Sequence, residues 1–165
     1  MSDAALKKKA AQIKLLVLDV DGTLTDGGVY IDANGVQSKK FHIRDGMGIT
    51  LLHEKGLPVG ILSHSRSKTI LDERARMLGI ERVYSGKEPK LEVLTRWLLE
   101  LNLTYEQVAY IGDDVNDLEV LEKVGFSACP HDAHFCLVKV VDVVLQRNGG
   151  QGCVREFIDR FLLVI

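Results

Sequence analysis

The chain has 165 residues, 46% of them hydrophobic and 27% charged, and its formal net charge is −2. A chain of this size can bury one core, so we expect a single domain over residues 1–165. The nearly balanced charge does not favour nucleic acid or an acidic membrane surface as a partner. The sequence has neither a stretch long enough to cross a membrane nor the apolar core of a signal peptide. We therefore expect a cytoplasmic protein.

The cysteine pattern indicates free thiols. Cys129, Cys136 and Cys153 are odd in number and have no CxxC spacing, so they match neither a disulfide framework nor a zinc site. We expect three buried thiols, as in a protein of a reducing compartment.

Strand-like and helix-like segments alternate along the chain, which predicts an α/β fold with a parallel sheet covered on both faces. The first strand is the apolar run that begins at Leu15. An Asn-Gly pair between two β-prone runs predicts a β-hairpin at about residues 28–41. The elements predicted after it are, in chain order, a helix at 48–55, a strand at 59–62, a helix at 68–78, a strand at 83–84, a helix at 90–101, a capped turn at 104–107, a strand that ends at 111, a helix at 117–123, strands at 126–129 and 141–145, and a last helix with apolar residues at 154, 157, 158, 161 and 162.

Two carboxylates, Asp19 and Asp21, follow the first strand and precede the turn-forming Gly22. Residues i and i+2 of an extended chain project from the same face, so both point beyond the carboxyl end of the strand, where open α/β sheets bind ligands. Neighbouring carboxylates repel each other unless a cation lies between them or one holds a proton. The pair is therefore suited to hold Mg²⁺, with one aspartate as nucleophile and the other as proton donor. The alternative is a solvated Asp-x-Asp-Gly turn.

Further polar groups stand at the ends of predicted elements. Ser63 closes the second strand of the sheet, Lys90 opens a helix, and Gly112-Asp113-Asp114-Val115-Asn116-Asp117 follows a third strand. Together with Asp19 and Asp21, and in this order, these residues resemble the four motifs of the haloacid dehalogenase superfamily. The resemblance spans most of the chain and implies a Rossmann-like, doubly wound parallel sheet.

The resemblance implies phosphoryl transfer through an aspartyl-phosphate. Asp19 would be the nucleophile, and Asp21 would protonate the leaving oxygen and then deprotonate the attacking water. Ser63 would donate a hydrogen bond to a phosphate oxygen. Lys90 would neutralise the phosphate and the carboxylates together.

The resemblance also implies a Mg²⁺ cofactor, which requires hard oxygen ligands. The implied protein ligands are the Asp19 carboxylate, the Asp21 main-chain carbonyl and the Asp113 carboxylate. Asp114 and Asp117 would lie around these ligands. For Asp117 the alternative is a role at the start of a helix.

The spacing of the motifs leaves no room for the lid domain that members of the superfamily usually insert. Between Asp21 and Ser63 the chain can form the hairpin and one helix, and between Ser63 and Lys90 one helix and a short strand. A phosphoryl-transfer site needs shielding from water and contacts to its substrate. We therefore expect a neighbouring subunit to supply them.

Within the superfamily, this chain resembles the 3-deoxy-D-manno-octulosonate 8-phosphate (KDO 8-phosphate) phosphatases of lipopolysaccharide biosynthesis. The resemblance rests on the DGTLTDG run, the hairpin, residues 41–48 and the glycines at 149, 150 and 152. It implies a homotetramer joined through the hairpins and a small sugar-acid phosphate as substrate. For Arg44 and Arg74, the alternative interpretation is that they form salt bridges at the protein surface. The implied substrate contacts are Asp21, His42, Ile43, Arg44, Asp45, Gly46, Arg66, Arg74 and Lys90.

The chain departs from this family near the sugar rather than near the phosphorus. Ser63-His64-Ser65-Arg66 is one residue longer than the common Thr-Gly-Arg, Gln151 replaces an arginine, and the chain ends at Ile165 without the longer tail of some members.

Two related kinds of protein compete with a phosphatase for the eight-carbon sugar. One is a phosphatase for 2-keto-3-deoxynonulosonate 9-phosphate, and the other is a non-catalytic tetramerisation module like that of sialic acid cytidylyltransferases. Relatives specific for the nine-carbon sugar often carry a glutamate where this chain has Ser65 or Arg66, which favours the eight-carbon sugar. The complete set of motif residues favours an enzyme.

Overall fold

The computed structural model describes residues 2–163, which contain eight β-strands and six α-helices. Three 3₁₀ turns, at Tyr105–Gln107, Val115–Asp117 and Leu137–Lys139, and a π-helical turn at Ile158–Leu162 complete the secondary structure. The strands are β1 Leu15–Leu18, β2 Tyr30–Ile31, β3 Gln37–Ser38, β4 Val59–Ser63, β5 Arg82–Ser85, β6 Val108–Ile111, β7 Phe126–Cys129 and β8 Val143–Val144. The helices are α1 Asp3–Ala10, α2 Ile43–Glu54, α3 Lys68–Leu78, α4 Lys90–Leu101, α5 Leu118–Leu121 and α6 Cys153–Phe157.

Six of the strands form one parallel sheet in the order β5-β4-β1-β6-β7-β8. In its centre, Leu16 of β1 is aligned with Val59 of β4 on one side and with Ala109 of β6 on the other. The chain runs outward from β1 to β4 and β5 and then returns to the other side of β1 with β6. This reversal of strand order creates a crevice at the carboxyl ends of β1 and β6, where α/β proteins bind ligands. The predicted fold class is confirmed.

Helices cover both faces of the sheet. Leu16 of β1 packs in a cluster with Ile49 of α2 and Phe157 of α6, whereas the adjacent Leu15 belongs to a second cluster with Trp97 of α4. Successive residues of a strand point to opposite faces, so a strand buried on both sides reads as a continuous apolar run. Because β1 is packed on both faces, its carboxyl end is held in a fixed position.

Helix α2 begins earlier than the sequence predicts. The predicted start at residue 48 is wrong, because α2 begins at Ile43 and includes Gly46 and Gly48. A Cβ atom at Gly46 would lie 2.6 Å from Arg74 Nη2, and one at Gly48 would lie 3.0 Å from Arg155 Cδ. The two glycines lower helix propensity, but they allow neighbouring side chains to approach the helix backbone closely.

Some other elements have the bounds predicted from the sequence, and others do not. Helices α3 and α4 and strand β7 coincide with the predicted ranges, and the capping box of Thr104 and Gln107 is present. The helix predicted at 117–123 is instead a 3₁₀ turn, capped by Asp114, followed by the short α5. The strand predicted at 141–145 contains two residues, and the last helix changes to a π-helical turn after Phe157.

The cysteines are free, as predicted, but they are not equally buried. Cys129 and Cys153 are buried, whereas Cys136 is half-buried, so the prediction of three buried thiols is wrong for Cys136. It lies beside the 3₁₀ turn at Leu137–Lys139, outside the sheet and the principal helices.

Strands β2 and β3 form the predicted hairpin, an antiparallel pair separate from the main sheet. The Asp32 side chain accepts hydrogen bonds from the backbone N–H groups of Asn34 and Val36, and Gly35 adopts a φ of +78° that closes the turn. Both strands are exposed.

Ile165, where this chain stops short of the longer tail of some family members, lies outside the described residues. Among residues 2–163, no helix combines the length and the hydropathy that a membrane crossing requires.

Candidate active site

Three carboxylates meet at the crevice between β1 and β6. Asp19 follows β1, Asp113 and Asp117 follow β6, and one oxygen atom of each lies within 4.8 Å of the others. Lys90, the first residue of α4, donates from Nζ to Asp19 Oδ1 at 2.7 Å and to Asp117 Oδ1 at 2.5 Å. The lysine is buried, so its charge acts within the carboxylate cluster rather than in solvent.

Asp117 organises this cluster. Its Oδ1 accepts hydrogen bonds from Lys90 Nζ and from the Tyr110 hydroxyl, at 2.5 Å each. Its Oδ2 accepts from the backbone N–H groups of Asp113 and Asp114, at 3.0 and 3.3 Å. Both oxygens are therefore engaged with the protein. Sequence reasoning missed Tyr110, although a tyrosine inside an apolar strand signals a hydroxyl that needs a buried partner.

Burial and mutual repulsion alter the ionisation of the cluster. Burial, followed by the charge of Asp117, raises the pKa of Asp19 to about 6. Burial, followed by the charge of Asp19, raises the pKa of Asp113 to about 8. Burial acts to lower the pKa of Lys90, but Asp19 and Asp117 outweigh it, so this pKa is raised and the lysine stays cationic. Asp19 and Asp113 thus keep their protons to a higher pH than free carboxyl groups do, because one buried lysine does not neutralise three neighbouring carboxylates.

The donor set fits a divalent cation. With all groups ionised, three carboxylates and one ammonium leave two uncompensated negative charges. Carboxylate oxygens are the hard ligands that Mg²⁺ prefers. The Asp117 oxygens already accept four hydrogen bonds. Asp19 accepts one from Lys90 and Asp113 a long one from Thr23, so these two side chains have more capacity left to bind the ion. The Asp21 main-chain carbonyl stays a prediction as the third ligand.

A cavity of about 220 Å³ opens above the carboxylates. Ser63, the last residue of β4, is buried at its wall, and its Oγ accepts the Ser65 N–H at 3.0 Å. The structure therefore brings Asp19, Asp21 and Ser63 to one cavity, with Lys90 directly behind Asp19. The residues that line the cavity are Asp19, Asp21, Ser63, His64, Ser65, Asp113, Asp114 and Asn116.

His64, in the lengthened loop after β4, lies at the rim of this cavity. Its Nε2 lies 2.9 Å from the Glu88 carbonyl oxygen and its Nδ1 lies 3.4 Å from Asn116 Nδ2. A carbonyl oxygen can only accept, so Nε2 carries the proton in this contact. The imidazole therefore connects the loop after β4 with the segment before α4 and the loop after β6. Sequence reasoning noted the longer loop but did not assign His64 to the cavity.

Gly149 and Gly150 support the loop that follows Asp21. The Gly150 N–H donates to the Thr23 carbonyl oxygen at 2.9 Å, and a Cβ atom at Gly149 would lie 1.8 Å from the Gly22 carbonyl oxygen. Gly22 has a φ of +90°, and a Cβ atom there would lie 2.0 Å from Asp113 Oδ2. Glycine is thus required on both sides of this contact, because the two backbones and the Asp113 carboxylate approach one another directly.

Most of the predicted substrate contacts lie away from this cavity within one chain. His42 caps α2 by accepting the Arg44 N–H at 3.2 Å. Asp45 is buried and accepts the Arg155 N–H at 2.7 Å, which ties α2 to α6. The Arg74 guanidinium lies 5.2 Å from the centre of the Phe41 ring. His42, Ile43, Arg44, Asp45, Gly46 and Arg74 are therefore absent from the cavity wall formed by the described residues.

Two of the predicted arginines, Arg66 and Arg44, line two other pockets. Arg66 lies in a basic pocket with Lys68 and Lys87, and this pocket shares His64 and Ser65 with the cavity of the carboxylates. Arg66 is thus next to the reaction site. Arg44 lies in a separate pocket of about 480 Å³, whose other charged residues are Arg147, Arg155, Glu156, Asp159 and Arg160.

The comparisons with known proteins agree with this geometry. The model of the haloacid dehalogenase-like hydrolase family matches residues 43–125. The 3-deoxy-D-manno-octulosonate 8-phosphate phosphatase KdsC of Escherichia coli (strain B / BL21-DE3) is 41% identical over 160 residues, which is 97% of this chain and 85% of that protein.

Solved structures of such phosphatases superpose closely. The crystal structure of the enzyme from Yersinia pestis has 41% identity and a TM-score of 0.93, with 96% of this chain and 85% of that chain covered. The enzyme from Moraxella catarrhalis, in complex with a magnesium ion, a phosphate ion and KDO, has 33% identity and a TM-score of 0.91. That alignment covers 95% of this chain and 90% of the Moraxella chain.

Proposed function

Because the chain belongs to the haloacid dehalogenase-like hydrolases and, within them, to the 3-deoxy-D-manno-octulosonate 8-phosphate phosphatases, we propose that it is a Mg²⁺-dependent phosphatase that hydrolyses KDO 8-phosphate. One observation carries the proposal: Asp19, Asp21 and Ser63 line one cavity, and Lys90 binds Asp19 from behind it. They do so in a chain that is 41% identical to such an enzyme over nearly its whole length. The products are KDO and inorganic phosphate.

Asp19 supplies the nucleophile. An Asp19 carboxylate oxygen attacks the phosphorus, the bond from phosphorus to the sugar oxygen breaks, and an aspartyl-phosphate forms. Lys90, 2.7 Å from Asp19 Oδ1, counters the negative charge that two anions bring together in this step. Ser63, buried at the cavity wall, donates its hydroxyl hydrogen to a phosphate oxygen.

Asp21 moves the protons. In the first step its carboxylic acid gives a proton to the leaving sugar oxygen, and in the second step its carboxylate takes a proton from the attacking water. Water then displaces Asp19 from phosphorus and releases inorganic phosphate. The side chain is 38% exposed at the cavity, where both a sugar oxygen and water can reach it.

Asp19 and Asp113 would hold Mg²⁺, with the Asp21 carbonyl as the proposed third ligand. When bound, the ion offsets the charge of the carboxylates and of the phosphate so that two anions can approach each other. Asp117 keeps Lys90 and the backbone at Asp113 in place for this arrangement. Asp114 caps the following 3₁₀ turn at the rim of the cavity.

The basic pocket beside the cavity suits the sugar acid. Arg66, with Lys68 and Lys87 in the same pocket, offers positive charge to a carboxylate while the phosphate lies over Asp19. A substrate with a carboxylate at one end and a phosphate at the other matches this pair of adjacent pockets.

We further infer that four chains associate through their hairpins and that neighbours complete the sites. Tyr30 and Ile31 are 60% and 65% exposed although both are apolar, and a lone two-stranded ribbon cannot bury them. Ile43 and Arg44 also face outward rather than into the cavity of their own chain. Association through the hairpins would cover the apolar residues and bring such outward-facing groups toward another chain's site.

The function is tested by measuring phosphate release from a panel of substrates with Mg²⁺ present. The panel contains KDO 8-phosphate, 2-keto-3-deoxynonulosonate 9-phosphate and sugar phosphates that lack a carboxylate. We expect the highest kcat/KM for KDO 8-phosphate, loss of activity with EDTA, and recovery on addition of Mg²⁺. Preference for the nine-carbon substrate would replace the proposed substrate, and no turnover of any panel member would indicate a tetramerisation module.

A further inference from the structure

The hairpin carries a lysine that reaches the reaction site of its own chain. Lys39 directly follows β3, and its side chain is only 2% exposed although the strands of the hairpin are exposed. Its Nζ donates to Asp21 Oδ1 and, at 2.7 Å, to Ser65 Oγ. Both acceptors line the cavity of the carboxylates. Lys39 is therefore a second buried ammonium of the site, separate from Lys90.

Other contacts seat the hairpin beside the cavity. The Ser67 hydroxyl donates to Gln37 Oε1 at 2.6 Å, and Thr25 forms an antiparallel bridge with Phe41. Ser65 and Ser67 both belong to the lengthened loop after β4, so this loop holds the hairpin at two points. The position of the Lys39 ammonium thus follows from a docked hairpin and does not depend on a second chain.

We propose that Lys39 is a positioning residue that holds the Asp21 carboxyl group in the orientation needed for proton transfer to the leaving oxygen. This inference rests on the proposed function, in which Asp21 is the proton donor. Proton transfer requires a heavy-atom distance of about 2.6 to 3.2 Å, and a small misplacement of a catalytic group lowers the rate strongly. The partly exposed Asp21 side chain can rotate and bind water instead. By binding Oδ1, Lys39 fixes the rotation and leaves Oδ2 for the substrate.

Two substrates with different leaving groups distinguish the positioning of Asp21 from a purely structural role of Lys39. A sugar alkoxide is a poor leaving group and needs a proton as the bond to phosphorus breaks, whereas p-nitrophenolate departs without one. Loss of Lys39 should therefore slow the first chemical step for a sugar phosphate and leave that step for p-nitrophenyl phosphate nearly unchanged. A residue that only stabilises the fold would affect both substrates equally.

The experiment compares Lys39→Met and Lys39→Arg with the wild type in single-turnover measurements of leaving-group release. The sugar phosphate is the panel member that the wild type hydrolyses fastest. We expect Lys39→Met to slow release of the sugar by about 10- to 100-fold and release of p-nitrophenolate by less than about 3-fold. Lys39→Arg, which keeps a cation that can donate to Asp21, should recover part of the lost rate.

Lys40→Met is the matched control. Lys40 is the next residue, its side chain is 58% exposed, and it forms an ion pair with Asp26 rather than with a cavity residue. It should leave both rates unchanged. Ser65→Ala removes the other acceptor of Lys39 and should reproduce a smaller loss with the same dependence on the leaving group.

Three results would overturn the proposal. One is an equal loss on both substrates, which indicates a structural role. Another is a higher KM for the sugar phosphate with an unchanged single-turnover rate at saturation, which indicates substrate binding. The third is unchanged rates with both substrates. Thermal melting of each variant establishes that it is folded. The substrate panel, measured with the wild type, tests the proposed function. Failure of that function is therefore distinguishable from failure of the role of Lys39, which the variants test.

Discussion

Single side chains at the crevice perform two kinds of task. Asp19 and Asp21 face the cavity, whereas Asp117, with both oxygens engaged by Lys90, Tyr110 and two backbone N–H groups, holds other groups in place. Such a buried, fully hydrogen-bonded carboxylate is satisfied without substrate. Asp19 and Asp21 each accept a hydrogen bond from one lysine, Lys90 and Lys39 respectively, and remain at the cavity wall, where a cation and a phosphate can reach them.

Replacing the proposed nucleophile should separate activity from stability. We expect Asp19→Asn to lower kcat by at least about a thousandfold, because the amide does not attack phosphorus. Without Mg²⁺, its melting temperature should equal or exceed that of the wild type, because the change removes one of three mutually repelling carboxylates, two of which are buried. Phosphate release and thermal unfolding measure the two effects. Activity within tenfold of the wild type would contradict the assignment of the nucleophile.

Among the structural elements, the glycine loop before α6 supports the loop that carries Asp21. Gly149 and Gly150 lie where any side chain would collide with backbone atoms of residues 22–26. The start of α2 shows the same principle, since Gly46 and Gly48 are kept by close packing rather than by helix propensity. Elements of this protein are thus positioned by backbone contacts as well as by apolar side chains.

Adding one methyl group to the glycine loop should disturb the site. Gly150 has a φ of +62°, and a Cβ atom there would lie 2.3 Å from the Asp26 backbone nitrogen. We expect Gly150→Ala to destabilise the protein by more than about 2 kcal/mol and to lower kcat, because the loop after Asp21 must move.

Gly56→Ala is the matched control for this variant. Gly56 has a φ of +76° with no atom within 4 Å of its Cβ position, so only the backbone strain of about 1 kcal/mol applies. Denaturant unfolding and phosphate release compare the two variants. Equal stability and activity of both would show that the contact between the loops is unimportant.

The whole molecule leaves an apolar hairpin uncovered while its helices enclose the sheet. Val29, Tyr30, Ile31 and Val36 are all exposed on this one ribbon. Exposed strand edges pair readily with other chains, and contiguous apolar surface marks an interaction site. We therefore propose that the hairpin, besides carrying Lys39, offers its outer surface to other copies of the chain.

Light scattering tests the association. We expect a mass of about four times the 18.3 kDa of one chain at micromolar concentration. Ile31→Lys should reduce this mass, because it places a charge on the proposed contact surface, and should lower activity as the neighbouring chains are lost. Leu99→Lys, a change at a 79% exposed apolar residue of α4, should leave both unchanged. A wild-type chain that is fully active as a monomer would contradict the proposal.

The amino-acid sequence by itself determined the α/β class, the hairpin, the bounds of α3 and α4, and the side chains at the ends of β1, β4 and β6. These depend on apolar periodicity, turn residues and short motifs, which are local properties of the chain. The tertiary structure alone decided that Tyr110 binds Asp117 and that Lys39 binds Asp21. It also decided that Gly149 and Gly150 pack against the loop after Asp21. It also placed His42–Gly46 outside the cavity of the same chain. Such contacts join residues distant in sequence or select one orientation of a side chain, and only the packed chain specifies them.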